Sequence, residues 1–280
     1  FWERNYIKLY ELDYARFSYS EELVNGLQLY ANAGYEKRSP LFNTTDQVWI
    51  KNPVAYTSNN PLLPQDFNTA AIQTHELAKL NARAVINFGQ KYMSYPDGKF
   101  NMNESKFPTL TLDLEQTFAA SDAAYNFTQV AAQLKQEFDI SNKGNFGYTL
   151  RGGTFFNADD ISFVDYQHFQ GNQTRVQLDG RHLNGFNLLP YYDFSTNTSY
   201  FEGHVEHKGF VLGKIPGIRA LNANLILAGH TLYTAQKPYY EFSAGIGNLG
   251  FGKFKFLRVD YVRSFNGPNK DGAFVFGLSF

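Results

Sequence analysis

Period-two alternation of apolar and polar residues, abundant aromatics with little charge, and an aromatic residue ending the last alternating stretch predict an all-β fold, an antiparallel transmembrane β-barrel. The stretches run about ten residues, the length a tilted strand needs to cross a bilayer. Of 280 residues, 17% are aromatic and 18% charged, against roughly 25% charged in an ordinary soluble domain. No run of ~18 apolar residues occurs, which excludes a transmembrane helix. Mean hydropathy is -0.38. A barrel accommodates that polar mean, because only alternate residues face lipid.

Taken in chain order, Leu27, Leu29, Ala31, Ala33 and Tyr35 alternate with Gln28, Tyr30, Asn32 and Gly34. Leu80, Ala82, Ala84, Ile86 and Phe88 alternate with Asn81, Arg83, Val85 and Asn87. Leu110, Leu112 and Leu114 interleave with Thr109, Thr111, Asp113 and Glu115, and Val130, Ala132 and Leu134 with Gln129, Gln133 and Lys135. Leu221, Ala223, Leu225 and Leu227 oppose Asn222, Asn224 and His230, and Tyr240, Phe242, Ala244 and Ile246 oppose Glu241 and Ser243. Phe274, Phe276, Leu278 and Phe280 close the series as the strand presented to the assembly machinery. A soluble sandwich also alternates. The large polar groups on the second face (Arg83, Lys135, Glu137, Arg258, Asp260) suit a wet lumen, and aromatic pairs at 155–156, 191–192 and 239–240 suit interfacial girdles.

Short connections at residues 19–22, 141–144 and 248–253 read as periplasmic turns, and the long ones at 40–64 and 157–198 as extracellular loops or lumen plugs. With the chain end taken as periplasmic, parity works if 157–198 adds no spanning strand. About five strands then follow it and about six precede it, an odd total where bacterial barrels are even. The expectation is therefore about twelve strands, or the C-terminal part of a barrel of up to about sixteen if strands are missing upstream. Residues 92–107 make a long connection on the side that should be short, the weakest point of this count. The chain lacks an initiator Met and a signal peptide, and is read as one domain whose export signal lies upstream.

Net charge of -1 shows no basic patch and argues against a nucleic-acid partner. Zero cysteines exclude a disulfide framework and thiolate chemistry.

Residues 88–92 (FGQKY), 96–99 (PDGK), 105–112 (SKFPTLTL), 150–155 (LRGGTF), 168–174 (HFQGNQT), 205–210 (VEHKGF) and 214–219 (KIPGIR) occur in this order along most of the chain. In this they resemble a Bacteroidota outer-membrane barrel family of unknown function. Its full-length members carry a carboxypeptidase-regulatory-like domain before the barrel. The resemblance implies an outer-membrane location and an upstream periplasmic domain, and supplies no activity. A weaker likeness runs to the BamA and two-partner-secretion superfamily, where an Arg-Gly-aromatic motif in a lumen loop precedes the last five strands. Here Arg151, Gly152 and Gly153 stand before the long connection without an aromatic directly after them; they are read as lumen-loop or structural residues, with Arg151 bracing the loop in the pore reading.

Candidate chemistry is sparse. Glu202, His204 and Glu206 share one strand face, with His207 on the other. They have ligand atoms for a divalent metal, but the reading adopted is an ordinary polar lumen face. Asp159, Asp160, Asp165 and His168 cluster in the long connection without ligand spacing. His168, Gly171 and Asn172 are read as a structured turn packed in the barrel mouth, the last two accepting φ > 0. No G-x-S-x-G accompanies Ser162 or Ser199. Ile215, Pro216 and Ile218 form an apolar turn on the periplasmic side, read as a barrel floor cap or docking point. Enzymatic activity is not expected, a barrel hydrolase or acyltransferase standing as the third alternative, and neither is a cofactor or metal. The predicted function is a scaffold or subunit in envelope biogenesis, secretion or surface assembly, with a pore or translocase carrying a plug loop as the alternative. Expected partners are outer-membrane lipid and lipopolysaccharide, the barrel-assembly machinery during insertion, and other envelope proteins.

Overall fold

The computed structural model describes residues 5–45, 47–51, 56–102, 106–177, 182–216, 222–251, 254–266 and 269–278. Ile218 and Phe280 lie outside this set. Among the described residues eleven long strands form: β1 (Tyr10–Val24), β2 (Leu27–Pro40), β3 (His75–Asn87), β6 (Thr109–Phe118), β7 (Thr128–Asp139), β8 (Gly144–Phe156), β10 (Tyr200–Gly209), β11 (Asn224–Tyr233), β12 (Tyr239–Phe251), β13 (Phe254–Asn266) and β14 (Asn269–Leu278). Three short ones complete the set: β4 (Tyr92–Tyr95), β5 (Gly98–Asn101) and β9 (Val176–Gln177). One twelve-stranded sheet follows the order β1-β2-β3-β6-β7-β8-β10-β11-β12-β13-β14-β9, with β4 and β5 as a separate hairpin. Every neighbour in the large sheet is antiparallel except β9, which runs parallel to β14. The chain is all-β, as the alternation predicts. Six long strands precede 157–198 and five follow it.

Side-chain alternation gives the sheet two unlike faces. The outer face shows Phe17, Leu112, Leu150, Phe201, Phe242, Tyr261, Phe274 and Phe276 to solvent, with Phe274 58% and Phe276 57% exposed. The inner face buries Glu36, Arg38, Glu202, His204, Glu206, Glu241, Arg258 and Asp260. Polar-in and apolar-out is the reverse of a water-soluble sheet packed on a core.

The sheet curls towards the polar face. Arg258 on β13 donates from Nη1 to Glu206 Oε2 on β10 at 2.6 Å, although three strand spacings separate them, roughly 14 Å in a flat sheet. Their charged ends meet because inward side chains converge on a concave surface. Space for Asp260 beside Arg258 comes from Gly245, where a Cβ would run into the Asp260 carboxylate.

Several connections depart from the sequence reading. Residues 19–22 are no turn: they lie inside β1, with Tyr19 opposite Ala31 and Glu22 opposite Gln28. The polar run there belongs to an exposed strand end, and the chain reverses at Asn25 and Gly26, where Gly26 has φ 83°. Residues 92–107 hold the β4–β5 hairpin, a pair of strands too short to span, so the connection stays long at the short-turn end and adds no spanning strand to the count. At 248–253 the strands run closer to the turn than expected, β12 reaching Phe251 through shifts in register after Ile246. Residues 141–144 turn as expected, through one 3-10 turn at Ser141–Lys143.

A Cβ on Gly26 would stand 2.5 Å from the Asn87 carbonyl. Gly26→Ala is expected to cost about 1–2 kcal/mol, from strain at positive φ and this clash. Gly98→Ala, where nothing lies within 4 Å, should move the urea midpoint little. Equal shifts for both variants would contradict the turn assignment.

Candidate functional site

Residues 157–198 join β8 to its sheet neighbour β10, yet span forty-two positions. Their described residues fold over the inner face. Two hydrophobic clusters hold them there: Ala158 and Ile161 pack with Phe127, Ala131, Phe155 and Tyr200, while Phe186, Leu189 and Phe194 pack with Leu232 and Tyr239. Gly147 on β8 leaves room for Leu183, whose Cδ1 would stand 2.5 Å from a Cβ there.

Charge fixes the first anchor. A 3-10 turn at Phe163–Asp165 carries Asp165 into the sheet. Arg38 on β2 donates from Nη1 to Asp165 Oδ2 at 2.5 Å, and Lys79 on β3 reaches Oδ1 at 3.4 Å. Both cations are held in turn, Arg38 by Glu36 at 2.7 Å and Lys79 by Glu115 at 2.6 Å. Glu36 also accepts from Arg16 of β1 at 3.1 Å. This network ties four strands, β1, β2, β3 and β6, to the segment at one buried carboxylate.

The second anchor inverts the roles. Glu241 on β12 accepts the backbone N–H groups of Asn187 and Leu188 at 2.7 Å each, and the Tyr239 hydroxyl at 2.6 Å. Phe186 packs edge-on against His204, its ring centroid 4.9 Å away. Asn187 Nδ2 donates to His230 Nε2 at 3.2 Å, which leaves the His230 proton on Nδ1. That atom donates to His204 Nδ1 at 2.9 Å, so His204 carries its own proton on Nε2, facing Glu202 at 3.6 Å. A third contact is the β9 ladder, where Phe276 N donates to the Arg175 carbonyl at 3.0 Å.

The residues singled out from sequence fall in different places. Arg151, Gly152 and Gly153 sit within β8, in the sheet and not in the connection. Arg151 lies 3.5 Å from Glu202 and its guanidinium 5.7 Å from the Tyr200 ring centroid. Gly153 makes room for that tyrosine, whose hydroxyl would meet a Cβ at 2.5 Å. His168 Nδ1 lies 2.7 Å from Ser195 Oγ, a contact that sequence spacing concealed. Neither Gly171 nor Asn172 has positive φ; in this segment that conformation falls on Asn157, Arg175 and Tyr192. Gly171 instead permits close passage, because a Cβ would strike the Leu189 carbonyl. Asn172 is buried and ties the chain locally, accepting from Thr174 N at 2.9 Å and donating to the Val176 carbonyl at 3.1 Å.

Glu202, His204 and Glu206 do share the inner face. Their partners are Arg151, His230 and Arg258 respectively. Among the described residues no group of three His, Cys, Asp or Glu is arranged to hold a metal. Asp159 and Asp160 are exposed, apart from buried Asp165. Phe274, Phe276 and Leu278 lie on β14, the two phenylalanines exposed on the outer face. Ile215 is exposed and Pro216 lies in the turn beside it. Sequence reasoning missed Arg38, Lys79 and Asn187. Arg38 and Lys79 did carry a signal, as charges at inward positions of alternating strands.

The geometry defines a class: a curled antiparallel sheet, apolar outside, whose polar inner face carries a docked segment of its own chain. Residues 1–246 match the model described as "Family of unknown function (DUF5686) C-terminal domain". The chain belongs to that family. The match takes in all the stretches from 88 to 219 that carry the sequence resemblance. Comparison with curated proteins finds no match.

Asp165→Asn leaves Arg38 buried with half its counter-charge. Removing a partner from such a pair costs about 3–5 kcal/mol, so the variant should expose 157–198 to limited proteolysis. Unchanged cleavage would contradict the anchor.

Burial lowers the His168 pKa, outweighing its hydrogen bond to the Phe163 carbonyl and the nearby Asp165 carboxylate, both of which raise it. A folded pKa below the unfolded value, about 6.5, means the unfolded chain binds the proton more readily. The docked state is then fully supported above pH ~6.5 and loses support as pH falls below it. Proteolytic release of the segment should rise between about pH 7 and 5; replacing His168 with Phe should flatten that rise, and an unchanged profile would refute the assignment.

Proposed function

We propose that this chain forms an outer-membrane β-barrel whose lumen is filled by its own 157–198 segment. In this reading it works without catalysis, as a scaffold or subunit in envelope biogenesis, secretion or surface assembly. The observation that carries the reading is the pairing of an exposed apolar outer face with a polar inner face occupied by buried, ion-paired chain. An outer face of this kind is costly in water and suited to lipid. The inner contacts suit a fixture better than an open channel, because releasing the segment would leave Arg38 without the Asp165 carboxylate and Glu241 without the Asn187 and Leu188 N–H groups.

The antiparallel order makes β1 and β14 run in the same direction. Antiparallel closure therefore takes an odd number of further strands between them, in keeping with the even strand numbers of bacterial barrels. The sequence resemblance supports a Bacteroidota envelope and a periplasmic regulatory-like domain in full-length members. On the BamA likeness, five strands do follow the connection, but Arg151 stands in the sheet.

One observation favours the pore or translocase reading. A cavity of about 550 Å³ remains on the inner face beside the docked segment, lined by Tyr30, Asn32, Asn81, Arg83, Asp113 and Arg151 among others. Planar-bilayer recording separates the two readings. A scaffold with a fixed filling should be silent, and deleting residues 159–174 should produce conductance. Steady conductance by the intact chain, unaltered by the deletion, would contradict the filled lumen.

A further inference from the structure

The β4–β5 hairpin is amphipathic. Its pairing sets Tyr92 opposite Asn101 and Ser94 opposite Lys99 on one face, with Met93 opposite Phe100 and Tyr95 opposite Gly98 on the other. The polar face is fastened to the sheet: Lys99 Nζ reaches Glu22 Oε1 of β1 at 2.8 Å, and Asn101 Nδ2 lies 3.4 Å from Glu22 Oε2. Asn25 Nδ2 donates to the Gln90 carbonyl at 2.7 Å, and Met102 N to the Lys91 carbonyl at 2.8 Å, so the base is stapled as well. The apolar face is turned away from these contacts. Met93, Tyr95 and Phe100 are each about half exposed, and the Tyr95 and Phe100 rings meet edge-on at 5.3 Å.

Such a hairpin holds three large apolar groups in water with its strands pinned in place. We propose that it is a membrane-surface anchor. Met93, Tyr95 and Phe100 enter the boundary between headgroups and acyl chains, in the leaflet at the short-turn end of the sheet. The proposal rests on the reading that the outer face of the sheet meets lipid.

Two observations favour lipid over a protein at this patch. Three side chains fall far short of the roughly 20–30 residues a side of a stable protein interface. The hairpin also continues an aromatic margin: Phe88 at the end of β3 and Phe107 before β6 flank it, both exposed. Tyrosine and phenylalanine bordering a spanning surface match the interfacial belt of membrane proteins. Lys99 stays with Glu22, so the buried face carries no charge into the boundary.

The chain has no cysteine, so single cysteines can be labelled in an otherwise native background. Tyr95→Cys, Ser94→Cys and Phe276→Cys would each carry an environment-sensitive fluorophore. The full chain would be placed in phosphatidylethanolamine–phosphatidylglycerol vesicles containing lipid spin-labelled at a shallow or a deep acyl position. Position 95 should lose roughly half its emission to the shallow quencher, as expected for a group seated at the headgroup–acyl boundary. Position 94 should keep its emission, and position 276 should respond more to the deep quencher. If 276 is quenched while 95 behaves like 94, the anchor is overturned and the membrane reading of the sheet stands. If 276 is not quenched either, the membrane reading fails and the anchor with it.

Discussion

Asp165 is a carboxylate with almost no access to water, held between Arg38 and Lys79. An ionised group in that position is tolerable only when opposite charge and hydrogen bonds replace its hydration. Satisfying it draws the 157–198 segment down onto β2 and β3, and Glu36 and Glu115 must then balance the two cations. The same demand recurs farther along the inner face, at β12, where Glu241 takes up the backbone N–H groups of Asn187 and Leu188. Between these anchors the apolar clusters around Phe169 add burial, but burial has no direction. The carboxylates set where the segment sits.

The curvature of the sheet follows from the same chemistry. Inward groups as far apart as Glu206 and Arg258 meet only on a concave face. Small residues keep that face passable: Gly147 admits Leu183, Gly153 admits Tyr200, and Gly245 admits Asp260. On the convex face side chains diverge across the sheet, and aromatic groups there meet neighbours on adjacent strands, as Tyr261 meets Phe274 and Phe242 meets Phe265. One strand period thus meets two opposite demands, close polar packing inside and apolar exposure outside.

Local periodicity made the strands legible, because each outward stripe is written in consecutive odd or even positions. The grouping of six strands, a long connection and five more was readable for the same reason. Turns were less so: the polar run at 19–22 resembles a turn in composition, while the Asn25–Gly26 pair that makes it is shorter and was passed over. The docking of 157–198 was legible only as a location. The contact that defines it joins Arg38 to Asp165 across 127 residues, and no local pattern encodes a pairing at that separation. Arg151 shows the opposite hazard, since a motif-like neighbourhood suggested a loop where the chain runs as strand β8.

The described residues of 157–198 rest on the inner face of the sheet. Disulfide trapping probes this placement, since the sequence has no cysteine of its own. A Gly147→Cys, Leu183→Cys pair should oxidise readily and shift gel mobility, as should the adjacent-strand control Tyr261→Cys, Phe274→Cys, whose rings lie 5.3 Å apart. A control that cross-links while the 147–183 pair stays reduced would contradict the docked segment.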